Sequence, residues 1–99
     1  MASWSFLTNH ARAMLFLARE PDARLRDLAE ALEVTERTAF AIVVDLTEAG
    51  YLVKERQGRR SRYEIQDDRP LGDPISRERT IGDLLALLVD RRHQKRRAR

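Results

Sequence analysis

Cysteine is absent from the 99 residues. Disulfides, thiolate zinc sites and cysteine nucleophiles are therefore excluded together, and a reducing compartment suits the chain. Long apolar runs are missing too: the stretch Leu84–Val89 falls far short of the roughly 20 residues a membrane span needs. The opening Met-Ala-Ser-Trp-Ser has neither the basic nor the apolar region of a secretory signal. No internal repeat occurs, and the arginine-rich end is the only biased segment. Enzyme signatures are equally scarce, with no Gly-x-Ser-x-Gly, no P-loop and no His-Glu-x-x-His. The two histidines, His10 and His93, lie at opposite ends of the chain. What remains is a soluble, cytoplasmic, non-enzymatic protein of one domain, since chains carry about one domain per 100–200 residues. A chain of this size buries roughly 60–65% of its unfolded surface, so self-association would be a natural supplement to its core.

Charge is plentiful and segregated. Charged residues make up 35% of the chain, and the net charge is only +3. Lys54, Arg56, Arg59, Arg60 and Arg62 stand against Glu55 alone, giving residues 54–62 a charge of +4. Residues 91–99 hold Arg91, Arg92, Lys95, Arg96, Arg97 and Arg99 with no acid, a charge of +6, which leaves −7 on the rest. Local potential rather than total charge steers association, so two basic patches on an acidic body point to a polyanion. A solvated hairpin and a frayed tail would show the same charges.

Hydrophobic periodicity divides the chain. A helix is predicted from about Thr8, a suitable N-cap, to Arg19. Ala11, Met14, Leu15, Phe16, Leu17 and Ala18 leave it little polar surface, so it should be central. Pro21 ends it. Upstream, Trp4, Phe6 and Leu7 are expected to fold onto the core or onto a partner subunit. Leu25, Leu28, Ala29 and Leu32 follow the i, i+3, i+4, i+7 rule of a short amphipathic helix. After the break at Glu33-Val34, Thr35 caps a second helix reaching Ala49, striped by Ala39, Ile42, Val43 and Leu46, with Gly50 as its stop. The period then changes. Residues 51–56 and 60–65 read as strands around a Gln57-Gly58-Arg59 tip. Tyr63 and Ile65 should face the core and the arginines solvent. Residues 67–79 read as a turn-rich linker, and a last helix runs from about Thr80 to Arg92.

Two short helices joined by a tight break make a helix-turn-helix pattern, and a basic hairpin directly behind the second makes it winged. Each part has work to do on DNA. A helix fits the major groove and offers its first turns to base edges, while arginines on a hairpin meet backbone phosphates or the negative minor groove.

Leu28-Ala-Glu-Ala-Leu-Glu-Val-Thr-Glu-Arg-Thr-Ala39, Ile42-Val-Val-Asp-Leu46, Glu48-Ala-Gly-Tyr-Leu52 and the wing Gly58-Arg-Arg-Ser-Arg-Tyr63 resemble winged helix-turn-helix bacterial regulators of the MarR/ArsR-like type. Phe6-Leu-Thr-Asn-His-Ala-Arg12 and residues 77–88 resemble a small single-domain subgroup of them. The resemblance implies a mainly α winged helix-turn-helix fold with a small β-hairpin. The segments expected are the winged helix-turn-helix over residues 6–66, a linker over 67–79, a dimerisation helix over 80–92 and a basic tail over 93–99 that is either disordered or adds non-specific phosphate contacts. It also implies a homodimer that binds near-palindromic double-stranded DNA and usually represses transcription. Position by position, the residues facing bases would be Arg37, Thr38, Phe40, Ala41 and Asp45, following the cap Thr35. In the wing, Lys54, Arg56, Arg59, Arg60 and Arg62 would hold DNA.

This chain departs from the common pattern by carrying Phe40 and Ala41 where small polar residues and arginine often stand. Those two side chains can meet only thymine methyl groups, and Glu36 and Asp45 would repel phosphate. Affinity should accordingly lean on the wing. Glu33 also stands where the turn often has glycine. For Phe40 and Val44 three readings stay open: a wider buried face, contact with thymine methyls, or a protein- or effector-binding surface. In the last helix Ile81, Leu84, Leu85 and Leu88 form a stripe widened by Leu87 and Val89, broader than one small domain needs. A homodimer interface would use it. Asp90 and His93, at i, i+3, would make a metal site only if a dimer brought two such pairs together; with no further ligand nearby an ordinary solvent-facing pair is expected, and no cofactor. The rival to the regulator is a winged-helix protein-interaction module without operator specificity, contacting its partner through Phe40 and Val44.

Overall fold

In a computed structural model, described over residues 4–89, the chain forms α1 (Asn9–Arg19), α2 (Leu25–Leu32), α3 (Glu36–Glu48), β1 (Leu52–Gln57), β2 (Arg60–Ile65), a 3₁₀ turn (Pro74–Ser76) and α4 (Ile81–Leu88). This is the mainly α winged helix expected from the sequence, with one two-stranded antiparallel sheet. Thr8 caps α1 by accepting from the Ala11 N–H, and Thr35 caps α3 by accepting from the Thr38 N–H. Both side chains satisfy a backbone donor that a helix start leaves unpaired.

α1 is central, as its nearly continuous apolar surface predicts: it packs against α2, α3, α4 and β2. The core gathers Met14 and Leu17 of α1, Leu28 of α2, Ile42 and Val43 of α3, Leu52 of β1 and Leu85 of α4. Trp4 and Phe6 behave differently. Their rings meet edge to face at 4.9 Å between centroids, and both remain exposed. They cover each other rather than the core.

The turn between α2 and α3 is a Schellman motif, in which the Val34 N–H returns to the Ala29 carbonyl and Glu33 takes φ +60°. A left-handed conformation costs a side-chain-bearing residue about 1–2 kcal/mol, which exceeds the extra chain entropy a glycine loses. Glu33→Gly should raise stability by about 0.5–1 kcal/mol, readable as a higher urea midpoint at unchanged m. α3 ends in the same way. The Tyr51 N–H reaches the Leu46 carbonyl, and Gly50 sits at φ +90° with the Arg69 guanidinium lying where a Cβ would be.

Residues 67–70 are tied back to the body. The Tyr51 hydroxyl donates to the Pro70 carbonyl at 2.6 Å, and an Arg69 guanidinium nitrogen donates to the Ala49 carbonyl at 3.4 Å. Pro70 bridges Thr80 as a single antiparallel β pair. The Ile81 and Gly82 amides donate to the Arg69 and Asp67 carbonyls, placing α4 over the core. Gly82 is required there, since a Cβ would press on the Asp67 carbonyl oxygen at 2.8 Å.

α4 opens on a capping box: Thr80 accepts from the Asp83 N–H, and Asp83 accepts from the Thr80 N–H at 2.9 Å. The Thr80 amide holds the Asp83 carboxyl below its ordinary range. A depressed folded-state pKa gives stability that is present at neutral pH and lost as pH falls through the folded value. Asp83→Asn should therefore lower stability at pH 7 and flatten its decline in acid, measured by thermal melts across pH 2–6. α4 ends at Leu88, where Val89 is extended and returns its N–H to the Leu85 carbonyl, short of the end expected near Arg92; residues 90–99, with the basic tail, lie outside the described residues.

Candidate nucleic-acid interface

The start of α3 is solvent-facing. Thr35, Glu36, Arg37, Thr38, Phe40 and Ala41 are all exposed, with Phe40 keeping 54% of its surface. Ala39, Ile42, Val43 and Leu46 turn the opposite side inward, so the helix anchors by one stripe and presents the other. Thr35 spends its hydroxyl inside the cap, accepting from the Thr38 N–H and donating to the Thr38 hydroxyl at 3.1 Å.

Asp45, expected to face bases, is instead committed to α1. Its carboxylate meets His10 Nε2 at 2.8 Å. The physical reason is the crossing of α1 over the later half of α3, which brings the N-terminal turn of one helix beside the second half of the other. His10 is accordingly a partner for α3 rather than a bare surface residue.

In the hairpin, Gln57 pairs with Arg60, so the connection is the two residues Gly58-Arg59, with Gly58 at φ +64°. Cross-strand partners share a face. Leu52 with Ile65, Lys54 with Tyr63, and Arg56 with Ser61 therefore lie on one face, and Val53 with Glu64 and Glu55 with Arg62 on the other. The two faces differ in charge. On the second, Glu64 pushes the Glu55 pKa up, first through a shared hydrogen bond and then through like-charge repulsion. Arg62 is partly buried and ion-paired to Asp22 at 3.6 Å, which departs from the solvent-facing position expected for it. The loop between α1 and α2 comes close enough to β2 to claim it. The side chain of Arg60 lies outside what is described.

The first face carries Lys54 and Arg56 and looks toward α3. Lys54, Arg59, Ser61 and Tyr63 of the hairpin, Phe40 of α3, and Ala23, Arg24 and Leu25 at the start of α2 line one open cleft of about 500 Å³. Three cations (Arg24, Lys54, Arg59) thus converge on a space with no carboxylate in its lining, and none of them has an ion-pair partner among the described residues. Burial raises the Tyr63 pKa, keeping its phenol neutral. Arg24 was invisible as a site residue in the sequence, because it sits outside both basic runs and reaches the wing only through the fold.

The remaining predicted positions divide. Ile81 and Leu85 are buried in the chain's own core and Leu84 is half-buried, whereas Leu87 and Leu88 are exposed. The stripe is therefore split: one flank holds α4 to α1, and the other faces outward.

No curated protein matches the chain significantly. Among solved structures the chain is similar to the zinc-dependent MarR family transcriptional regulator AdcR in its Zn(II)-bound state. The two share 21% identity at a TM-score of 0.50, over 99% of this chain and 72% of that one, which is a likeness of fold. The sequence model of the MarR family matches residues 6–62, a span running from the start of the N-terminal segment through the helix-turn-helix to the wing. With more than half of its length inside that match, the chain belongs to the MarR family of transcriptional regulators.

Proposed function

We propose that the chain represses transcription as a homodimer on double-stranded DNA, with the first half of α3 in the major groove and the wing on the adjacent backbone or minor groove. The observation that carries this reading is the shared cleft. Phe40 of α3 and Lys54 and Arg59 of the wing line the same opening, so the helix and the basic hairpin serve one side of the molecule. A DNA strand passing between a major-groove helix and a wing would run through that cationic space. Thr35 caps the helix without using its charged neighbours, leaving Arg37 free to pair with guanine O6 and N7, a contact worth about 1–3 kcal/mol of discrimination.

A two-fold dimer would set two such helices about 34 Å apart, one turn of DNA. Leu87 and Leu88 of α4 and the aromatic pair Trp4–Phe6 are the exposed apolar groups available to hold it. Among the described residues no three His, Cys, Asp or Glu side chains come together, and Asp90 and His93 lie outside them. No helix among these residues is long and apolar enough to cross a membrane.

Selection from random duplexes at moderate salt tests the assignment. Enrichment of a near-palindromic motif is expected, with log K falling against log [salt] by about 0.9 per phosphate contact. Absence of any enriched motif would favour the interaction-module reading, for which the exposed Phe40 ring and the half-buried Val44 provide a surface.

A further inference from the structure

The exposed side of α3 has an unusual make-up for a helix that reads DNA. Arg37, Phe40 and Ala41 stand at i, i+3 and i+4 and so form one contiguous patch. All three are exposed. Of the polar groups that would extend this patch, the Thr38 hydroxyl accepts from Thr35 and keeps only its own proton to donate, and Asp45, one turn beyond Ala41, is bound to His10. What the patch offers to a base edge is one guanidinium beside a half-exposed ring and a methyl group.

In the major groove the apolar group that bases present is the 5-methyl of thymine. The flanking cations Arg24, Lys54 and Arg59 supply the charge complementarity that brings a duplex against this ring rather than an apolar peptide. We propose that Phe40 and Ala41 recognise thymine 5-methyl groups, so that sequence preference along the first half of α3 is a preference for thymine methyls beside a guanine held by Arg37. The inference rests on the DNA-binding reading and assigns the specificity of that same surface.

Burial of one methyl group is worth about fourfold in affinity. The test takes the duplex enriched from the random pool and replaces its thymines with deoxyuridine, which removes the 5-methyl and leaves every hydrogen-bonding group in place. The same exchange in an unselected duplex sets the baseline. Affinity for the selected duplex should fall about fourfold per contacted methyl. Phe40→Ala should narrow the difference between the thymine and deoxyuridine duplexes to the part that Ala41 contributes, while Phe40→Leu retains more of it. Lys54→Ala should weaken both duplexes equally and leave their ratio intact, a pattern that a general loss of folding or of charge would not give to Phe40→Ala. Equal affinity of the intact chain for the two selected duplexes overturns this proposal and leaves DNA binding standing. Failure to enrich any duplex overturns both.

Discussion

Replacing Lys54 and Arg59 together by alanine is expected to weaken duplex binding at least about 100-fold per bound chain, since each hydrogen bond to a charged group contributes about 1.5–3 kcal/mol. Both side chains line the cleft beside Phe40 and have no ion-pair partner among the described residues. Their charge is thus available to phosphate without first breaking an internal contact. Sequence preference should survive, because backbone contacts position a protein without reading bases. The slope of log K against log [salt] should become shallower by about 0.9 for each lost contact. Arg24→Ala, on the opposite wall, should act in the same direction. Arg62→Ala should act less, because Asp22 already holds that guanidinium and removing it subtracts an internal pair as well as a cation. Fluorescence anisotropy over 50–300 mM salt measures all of these. An unchanged slope in the double variant would place the DNA elsewhere on the molecule.

Leu85→Ala should cost about 2–5 kcal/mol of folding free energy, the range for a fully buried leucine whose removal leaves a cavity. Leu85 has 0% exposure. It fixes α4, whose two turns are otherwise held by the Thr80–Asp83 box and by the amides of Ile81 and Gly82 on the preceding strap. A domain this size has only about 5–15 kcal/mol to lose, and 1 kcal/mol moves its melting temperature by about 4–8 °C. The variant should therefore melt 10 °C or more below the parent. Leu87, two residues on and so about half a turn round the helix, is 80% exposed and provides the contrast. Leu87→Ala should change folding of the single chain by less than about 0.5 kcal/mol and should weaken self-association, read by sedimentation at several concentrations. If Leu87→Ala destabilised the chain as Leu85→Ala does at every concentration, the outward flank of α4 would be packing on its own domain.

Local chemistry made much of this legible in advance. Thr8, Thr35 and Thr80 announce helix starts because a short hydroxyl side chain can satisfy a free amide, and all three cap helices. The stripes of α2 and α3 name their own buried residues, because a period of 3.6 admits one inward face. A hairpin turning at Gly58 follows from a glycine between two β-rich runs, although the tip read as Gln57-Gly58-Arg59 is one residue shorter, because Gln57 pairs with Arg60. Long-range pairing was illegible. Nothing near Asp45 in sequence signals His10, 35 residues away, and nothing near Arg62 signals Asp22. A hydrophobic stripe likewise does not say whose core it enters, so Ile81 and Leu85 read the same as Leu87 and Leu88.

Sequence alone determined the order of helices and hairpin, their caps, the family resemblance and the location of the basic runs, since each depends on residues a few positions apart. Only the tertiary structure decided which charges are free. It bound Asp45 to His10 and Arg62 to Asp22, separated the Lys54–Arg56 face of the wing from the Glu55–Glu64 face, and added Arg24 to the cleft. Coulomb interactions act through space over a few ångströms, and the proximity of residues far apart along the chain exists only once the core has set how its helices cross.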